Sequence, residues 1–290
     1  MSKIKILIPV YNDWRSVFKL LKNIDLQINN LKHEISVLII NDSSTEVRVE
    51  DSLILNHIYS IKIINMRKNR GHARCNAVGL KYTNDKENFD YIIPMDGDGE
   101  DRPEELVLLT NKLKDYPDKV ITANRVKRSE GFFFKLCYLA HKYLTFIFTG
   151  QTIKFGNYSC LPKLTVNKMV NEPATWSSFS GSLVKTEKDR KFIPSSRGQR
   201  YFGPSKMSFV NLLKHSLSII AVFKKTLLIR SILFLIVYLF LIVGKISAIT
   251  LMPVLGVTIM MLSVIILSKR ENMSEFNSSL ENIDSIDKIK

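Results

Sequence analysis

The chain has 290 residues, which allows one α/β domain of about 200 residues and a smaller appendage. A formal net charge of +15 fits membrane surfaces or phosphate groups as partners, but a hydrophobic fraction of 46% is high for a protein that only binds nucleic acid. The three cysteines are odd in number and far apart, which excludes a disulfide framework or a Cys-x-x-Cys zinc site and favours a reducing compartment.

Short apolar runs alternate with helix-like segments over the first part of the chain. The runs predict strands at residues 6–10, 35–40, 61–64, 91–95 and 120–123. The segments between them predict helices at residues 14–28, 46–55, 72–81 and 103–114. This alternation predicts an α/β fold with a largely parallel sheet covered by helices. The first run is short and leads into polar residues, so we interpret it as a strand and not as a signal peptide.

The character of the chain changes after residue 125. Residues 131–150 and 207–223 are apolar segments with interleaved basic residues, and both predict helices at a membrane interface. Residues 227–243 and 246–268 are apolar and, at about 1.5 Å of rise per residue, long enough to cross a ~30 Å hydrocarbon core. We therefore predict a domain at 1–206, a juxtamembrane helix at 207–223, a transmembrane hairpin at 224–270 and a disordered tail at 271–290.

Basic residues flank the outer ends of the predicted hairpin, whereas the connection between its two spans has only Lys245. The flanking residues are Lys224, Lys225, Arg230, Lys269 and Arg270. By the positive-inside tendency both outer ends are cytoplasmic. The sequence thus predicts a multi-pass protein of the cell (inner) membrane with its N-terminal domain and its tail in the cytoplasm.

The strongest chemical signal is the acidic cluster at residues 95–101, MDGDGED, which directly follows an apolar strand. Carboxylates this close repel one another unless a positive group binds, and hard oxygen ligands suit Mg²⁺ or Mn²⁺. The same letters also fit a solvated turn or a calcium loop, although the EF-hand length and its final glutamate are missing. Three further polar segments, 9–13, 40–44 and 69–80, follow other strands, and strand ends of a parallel sheet share one crevice. His72 is the one histidine in such a segment.

The order of these motifs resembles the family 2 inverting glycosyltransferases of the GT-A fold, most closely the polyprenyl- and dolichyl-phosphate sugar synthases. The resemblance covers about residues 3–206, and the terminal hairpin resembles that of bacterial polyprenyl-phosphate glycosyltransferases. The motifs that carry it are IPVYND, IINDSS, NRGHARCNAVGL, MDGDGEDRPEE and TANR.

The resemblance implies a nucleotide-sugar donor, with a UDP-sugar favoured, and a divalent metal. The implied donor-binding residues are Pro9, Tyr11, Asp13, Asp42, Arg70, Gly71 and Asp96. Asp98 and Glu100 would hold Mg²⁺ or Mn²⁺, and Asp96, Asp98 and Arg125 form the implied catalytic set. The family usually has glutamate at the position of Asp13, and Asn41 and Ser43 also depart from its pattern, which leaves the base open.

The implied acceptor is a polyprenyl phosphate at the bilayer, and the oligomeric state is left open, a homo-oligomer included. From the resemblance together with position and charge, the residues predicted to bind this phosphate are Arg125, Arg128, Arg197, Arg200, Ser205 and Lys206. A phosphate oxyanion is already a nucleophile, so alignment and leaving-group stabilisation suffice. Extension of a lipid-linked glycan or polysaccharide is the alternative, but it requires a carboxylate base that residues 125–206 do not suggest. A membrane-tethered nucleic-acid binder is disfavoured because no nucleic-acid-binding motif is present.

Overall fold

The computed structural model describes residues 1–48, 53–127, 132–203 and 209–290. The chain divides into two compact units. The sheet unit comprises Met1–Ser129, Lys154–Ser205 and Met273–Lys290, and the helical unit comprises Glu130–Ile153 and Lys206–Asn272. Residues Arg128, Ser205 and Lys206, which are predicted to bind the acceptor phosphate, lie outside the described residues.

The elements of both units follow one another along the chain, and each is named by its type and order. They are β1 (Lys3–Val10), α1 (Trp14–Gln27), β2 (Glu34–Asn41), β3 (Ser60–Met66), α2 (His72–Lys86), β4 (Tyr91–Pro94), α3 (Glu105–Asp115), β5 (Val120–Lys127), α4 (Phe132–Thr149), β6 (Ser159–Pro162), α5 (Lys163–Val170), α6 (Phe179–Thr186), β7 (Arg190–Ser196), α7 (Phe209–Ala221), α8 (Lys224–Ile242), α9 (Ala248–Ser268), α10 (Met273–Asn277) and β8 (Ile283–Lys288). Short 3₁₀ turns at Pro173–Trp176 and Ser279–Asn282 complete the order.

The sheet unit is built on one mixed sheet with the strand order β7-β5-β6-β4-β1-β2-β3-β8. The pairs β1–β2, β1–β4, β2–β3 and β5–β7 are parallel, and β6 and β8 pair antiparallel with their neighbours. The apolar runs form central strands because helices cover both faces, so isoleucine, leucine and valine side chains are buried on each side. The predicted α/β fold class and all five predicted strands are confirmed.

The register of the parallel strands aligns the polar segments that follow them. Val10 of β1 is paired with Asn41 of β2, and Asn41 is paired with Asn65 of β3. Leu7 is paired with Pro94, so β4 ends beside them at the same edge. The segments after β1, β2, β3 and β4 therefore meet at one edge of the sheet, as the sequence predicts.

The predicted helices at residues 14–28, 72–81 and 103–114 correspond to α1, α2 and α3, although α2 is longer and α3 begins two residues later. The predicted helix at 46–55 is wrong for its described residues, 46–48 and 53–55, which are not helical. A side chain accepts hydrogen bonds from backbone N–H groups at the start of this segment. Asn12 Oδ1 accepts the N–H groups of Thr45 and Glu46 at 2.8 and 3.1 Å, and this competes with helical hydrogen bonding.

The prediction of a disordered tail is also wrong, because residues 273–290 fold into α10, a 3₁₀ turn and β8. β8 pairs antiparallel with β3, with Ile286 opposite Ile64. Phe276 is 0% exposed and stacks on Trp176 with ring centroids 5.5 Å apart. The tail is polar in composition, so its few apolar positions did not stand out in the sequence. The edge strand β3 has unpaired backbone N–H and C=O groups with which β8 forms hydrogen bonds.

The helical unit contains α4, α7, α8 and α9. A small buried cluster that includes Phe148, Ile220, Leu227 and Val264 holds these helices together. Helices α8 and α9 are long and apolar enough to cross a membrane, by length and composition only, and they contain most of the predicted spans 227–243 and 246–268. Helices α4 and α7 correspond to the predicted interfacial helices, but α4 belongs to the helical unit and not to the predicted first domain. Their membrane placement stays a prediction.

Candidate functional site

The acidic cluster forms a tight turn directly after β4. The backbone N–H of Asp96 donates to Asp101 Oδ2 at 2.9 Å, and the N–H of Glu100 donates to Asp98 Oδ1 at 2.9 Å. Gly99 has φ +89°, and a Cβ at this position would lie 2.6 Å from the ring of Tyr201. Glycine is therefore required both for the backbone conformation and for the close approach of the ring.

A basic segment at residues 197–200 neutralises this turn. Arg200 Nη1 lies 2.5 Å from Asp98 Oδ2, and Arg200 Nη2 lies 3.2 Å from Asp13 Oδ2. Arg197 forms an ion pair with Glu100. The two predicted metal-binding acids, Asp98 and Glu100, thus each face an arginine that the sequence assigned to the acceptor.

Backbone hydrogen bonds hold the basic segment in place. The N–H of Gly198 donates to the carbonyl of Glu100 at 2.8 Å, and the N–H of Tyr201 donates to the carbonyl of Asp98 at 2.9 Å. Tyr201 Oη in turn accepts a hydrogen bond from Asn23 Nδ2 of α1 at 2.8 Å. The segment is therefore built onto the acidic turn and is not a separate surface patch.

Asp96 contacts residues from two other loops. His72 Nε2, at the start of α2, lies 3.2 Å from Asp96 Oδ1, and Asn157 Nδ2 donates to the same oxygen at 3.3 Å. Burial opposes ionisation of Asp96, but the His72 charge and hydrogen bond and the nearby Arg125 hold its pKa well below the usual range. Burial likewise opposes protonation of His72, but the Asp96 carboxylate outweighs it and raises the pKa of His72.

Asp42, at the end of β2, fixes the loop between β3 and α2. Its two oxygens accept the backbone N–H groups of Arg70 and Gly71 at 2.7 and 2.8 Å. Gly71 has φ +88°, which a residue with a side chain rarely adopts. Burial raises the pKa of Asp42, although these two hydrogen bonds oppose the shift. The predicted contact of Asp42 with base or ribose stays a prediction, and the structure gives it a positioning role.

The electrostatics of the turn favour a bound cation. Burial and the charge of Asp96 raise the pKa of Asp98 to about 6, and burial raises the pKa of Asp101 well above its ordinary value. In the described part of the chain no three potential ligand side chains lie close enough to enclose a metal ion. Mg²⁺ and similar ions commonly use only one or two carboxylates and complete their shell with water and substrate phosphates, so Asp98 and Glu100 fit such an ion.

The predicted donor-site residues Pro9 and Tyr11 and the predicted catalytic residue Arg125 lie at the same sheet edge. Pro9 is within β1, and Tyr11, which follows it, is 45% exposed. Arg125 lies near the end of β5, and its Nη2 is 3.2 Å from where a Cβ of Gly156 would be. The contact of Asn157 with Asp96 was not predicted, because residues 155–160 resemble the corresponding family motif poorly. No residue of the tail was predicted to contribute to the site.

Comparison with known proteins places this site in context. The family model described as glycosyl transferase family 2 matches residues 5–173, which is more than half of the chain. Among solved structures, a mannosyl-3-phosphoglycerate synthase from Rubrobacter xylanophilus is similar with a TM-score of 0.55 and 11% identity, covering 76% of this chain and 72% of that one.

Two further solved structures are similar and contain ligands. Glucosyl-3-phosphoglycerate synthase from Mycobacterium tuberculosis, in complex with Mn²⁺, UDP-glucose and phosphoglyceric acid, has a TM-score of 0.53 and 14% identity, covering 79% of each chain. A mannosyltransferase from Pyrobaculum calidifontis, in complex with GDP-Man and Mn²⁺, has a TM-score of 0.50 and 13% identity, covering 98% of this chain and 76% of that one. At such identities these likenesses show the fold alone.

Proposed function

Because the chain belongs to glycosyl transferase family 2 and is a glycosyltransferase, we propose that it transfers a sugar, with inversion, from a nucleotide-sugar to a polyprenyl phosphate. The observation that carries the proposal is the acidic turn at residues 96–101, which lies among basic side chains at the carboxyl edge of the sheet. The presence of two long apolar helices in the same chain supports a lipid acceptor at the cytoplasmic membrane face.

The donor is proposed to be a UDP-sugar, with a GDP-sugar as the alternative to be tested. The similar structures contain UDP-glucose and GDP-Man, so the fold accommodates either base. The loop at Arg70 and Gly71 and the carboxylate of Asp96 would contact the donor, because they meet at the edge where ligands of such sheets bind.

Asp98 and Glu100 are proposed to hold Mg²⁺ or Mn²⁺. Such an ion acts as a Lewis acid that stabilises negative charge on a departing diphosphate. Arg200 and Arg197 form ion pairs with the same two carboxylates. These arginines would become available to phosphate groups once another cation balances the acids.

The chain's other residues are proposed to align the acceptor. A phosphate oxyanion requires orientation rather than deprotonation, so the site needs no general base. Arg125 lies within electrostatic reach of Asp96 and is the described basic residue that we assign first to the lipid phosphate. The wider proposed acceptor set adds Arg128, Arg197, Arg200, Ser205 and Lys206.

The proposal is tested by incubating the purified protein with polyprenyl phosphate, Mg²⁺ or Mn²⁺, and a panel of UDP- and GDP-sugars. We expect a polyprenyl-phosphate sugar, identified by mass, with one donor. Parallel reactions with unphosphorylated polyprenol and with lipid-linked glycans separate the phosphate acceptor from a hydroxyl acceptor. Product in a hydroxyl reaction alone would replace the proposed acceptor with glycan extension.

We expect Arg125→Ala to raise the apparent KM for polyprenyl phosphate roughly tenfold, because it removes a charge-assisted contact to phosphate. The KM for the donor should stay close to that of the wild type, and Arg125→Lys should restore part of the loss. Arg102→Ala is the matched control, since Arg102 also lies beside the acidic turn but pairs with Glu104 at 3.4 Å. An unchanged lipid KM in Arg125→Ala would remove Arg125 from the acceptor site.

Reporter fusions at Gly244 and at Lys290 are expected to report opposite sides of the membrane. Lys245 is the one basic residue in the connection between α8 and α9, whereas several basic residues flank the outer ends of these helices. The pairing of β8 with β3 supports this topology, because it places residues 283–288 within the sheet unit. A reporter at a tolerated loop of the sheet unit, such as Asp118, should agree with Lys290. Fusions at Gly244 and Lys290 on one side would contradict a two-span hairpin.

A further inference from the structure

The C-terminal segment contacts the loop that joins β3 to α2. The Glu275 carboxylate of α10 accepts hydrogen bonds from Arg70 Nη1 at 2.7 Å and from Arg74 Nη2 at 3.3 Å. It also accepts a hydrogen bond from the indole Nε1 of Trp176 at 3.0 Å. One carboxylate therefore ties the loop and the first turn of α2 to a buried aromatic side chain.

Other contacts anchor the tail independently of Glu275. The backbone N–H of Arg67 donates to the carbonyl of Asn282 at 2.9 Å, and Asn282 Nδ2 donates to the carbonyl of Lys68 at 3.3 Å. Phe276 is fully buried against Trp176, and β8 is paired along β3. A change at Glu275 alone should thus leave the tail in place.

The same loop reaches the acidic turn at its other end. Asp42 accepts the N–H groups of Arg70 and Gly71, and the next residue, His72, lies 3.2 Å from Asp96 Oδ1. Arg70, which Glu275 binds, is thus only two residues along the chain from His72, which contacts Asp96. Without the carboxylate, the Arg70 and Arg74 guanidinium groups would lose the negative charge they share.

We propose that Glu275 is a positioning residue for the donor-binding loop 67–74, so that the tail completes the active site. The proposal rests on the proposed function for its effect on catalysis, because the loop is assigned to the donor there. It does not depend on the identity of the acceptor. Its structural part, the ordering of the loop by Glu275, is independent of any substrate.

Amide hydrogen exchange on the full-length protein in detergent tests the structural part. Glu275→Gln removes the charge but keeps the side-chain volume, and we expect faster exchange in a peptide covering residues 67–74. Asp287→Asn is the matched control, since Asp287 is a tail acid that pairs with Arg48 at 2.8 Å and not with this loop. Exchange in β8 should stay at the wild-type rate in Glu275→Gln. Wild-type exchange at 67–74 in Glu275→Gln would overturn the proposal.

Steady-state kinetics test the catalytic part. We expect Glu275→Gln to raise the donor KM roughly tenfold with the lipid KM unchanged, and Glu275→Asp to restore part of the loss. A merely structural role would lower the fraction of active enzyme and the melting temperature at an unchanged donor KM, and that outcome would overturn the proposal. If the wild type fails to glycosylate polyprenyl phosphate, the proposed acceptor is wrong, and the exchange experiment still decides the role of Glu275.

Discussion

Asp98→Ala is expected to lower sugar transfer roughly a thousandfold or more while leaving the protein folded and bound to the membrane. Asp98 is the central carboxylate of the acidic turn, where burial and the charge of Asp96 raise its pKa to about 6. A carboxylate in this position supplies the negative charge that would hold a divalent cation. Its removal should abolish the response to added Mg²⁺ or Mn²⁺, measured as the transfer rate in a metal titration.

Thermal unfolding checks the fold of Asp98→Ala and of Asp98→Asn, which keeps the size of the side chain. A carboxyl group whose folded pKa is raised binds its proton more tightly when folded, so its contribution to stability is lost as pH rises from 3.8 to about 6. At neutral pH without metal, Asp98→Asn should therefore melt no lower than the wild type. Asp118→Ala, which removes an exposed acid, is the activity control. An active Asp98→Ala enzyme, or a wild-type activity insensitive to metal chelators, would contradict the metal-binding role.

Asp96→Asn is expected to lower kcat/KM for the donor about a hundredfold. The substitution keeps the size of the side chain but removes the negative charge that faces His72, with Asn157 and Arg125 nearby. In the wild type, His72 Nε2 and Asn157 Nδ2 both lie against Asp96 Oδ1. The asparagine could turn an N–H group towards these two nitrogen atoms in place of the carboxylate oxygen. The donor should then be misplaced, which is measured by donor KM and kcat at saturating metal.

The same strand provides a control for Asp96→Asn. Asp90 precedes β4, and its Oδ2 accepts the N–H of Lys3 at 2.7 Å at the opposite end of the strand from Asp96. Asp90→Asn changes the same chemical group far from the site, so it should keep wild-type kinetics. Equal activity of Asp96→Asn and Asp90→Asn would contradict a role of the Asp96 carboxylate in positioning the donor.

The local sequence by itself determined the elements that surround the site. Buried runs such as Ile6–Val10 and Ile35–Ile40 form central parallel strands because both of their faces are covered by helices. The position of the acidic turn after β4 followed from the rule that ligand-binding residues gather at the carboxyl ends of parallel strands. Family membership over residues 5–173 agrees with the motifs that carried the resemblance.

Tertiary structure alone decided which partners those residues have. The sequence assigned Arg197 and Arg200 to the acceptor, yet they bind Glu100 and Asp98, because backbone hydrogen bonds bring a segment about a hundred residues away onto the turn. The 3.2 Å contact of His72 with Asp96 likewise depends on how two loops meet, and no local pattern encodes that distance.

The tail is the clearest case in which local sequence did not predict the partners of a segment. Its polar composition predicts disorder, because composition counts apolar residues without knowing where they can be buried. Phe276 has its partner in Trp176, and Ile283–Lys288 has its partner in the edge strand β3, both remote in sequence. These partners come together only when the chain folds. Pairing and burial across long separations, and not local propensity, therefore order residues 273–290 and place Glu275 against the loop at residues 67–74.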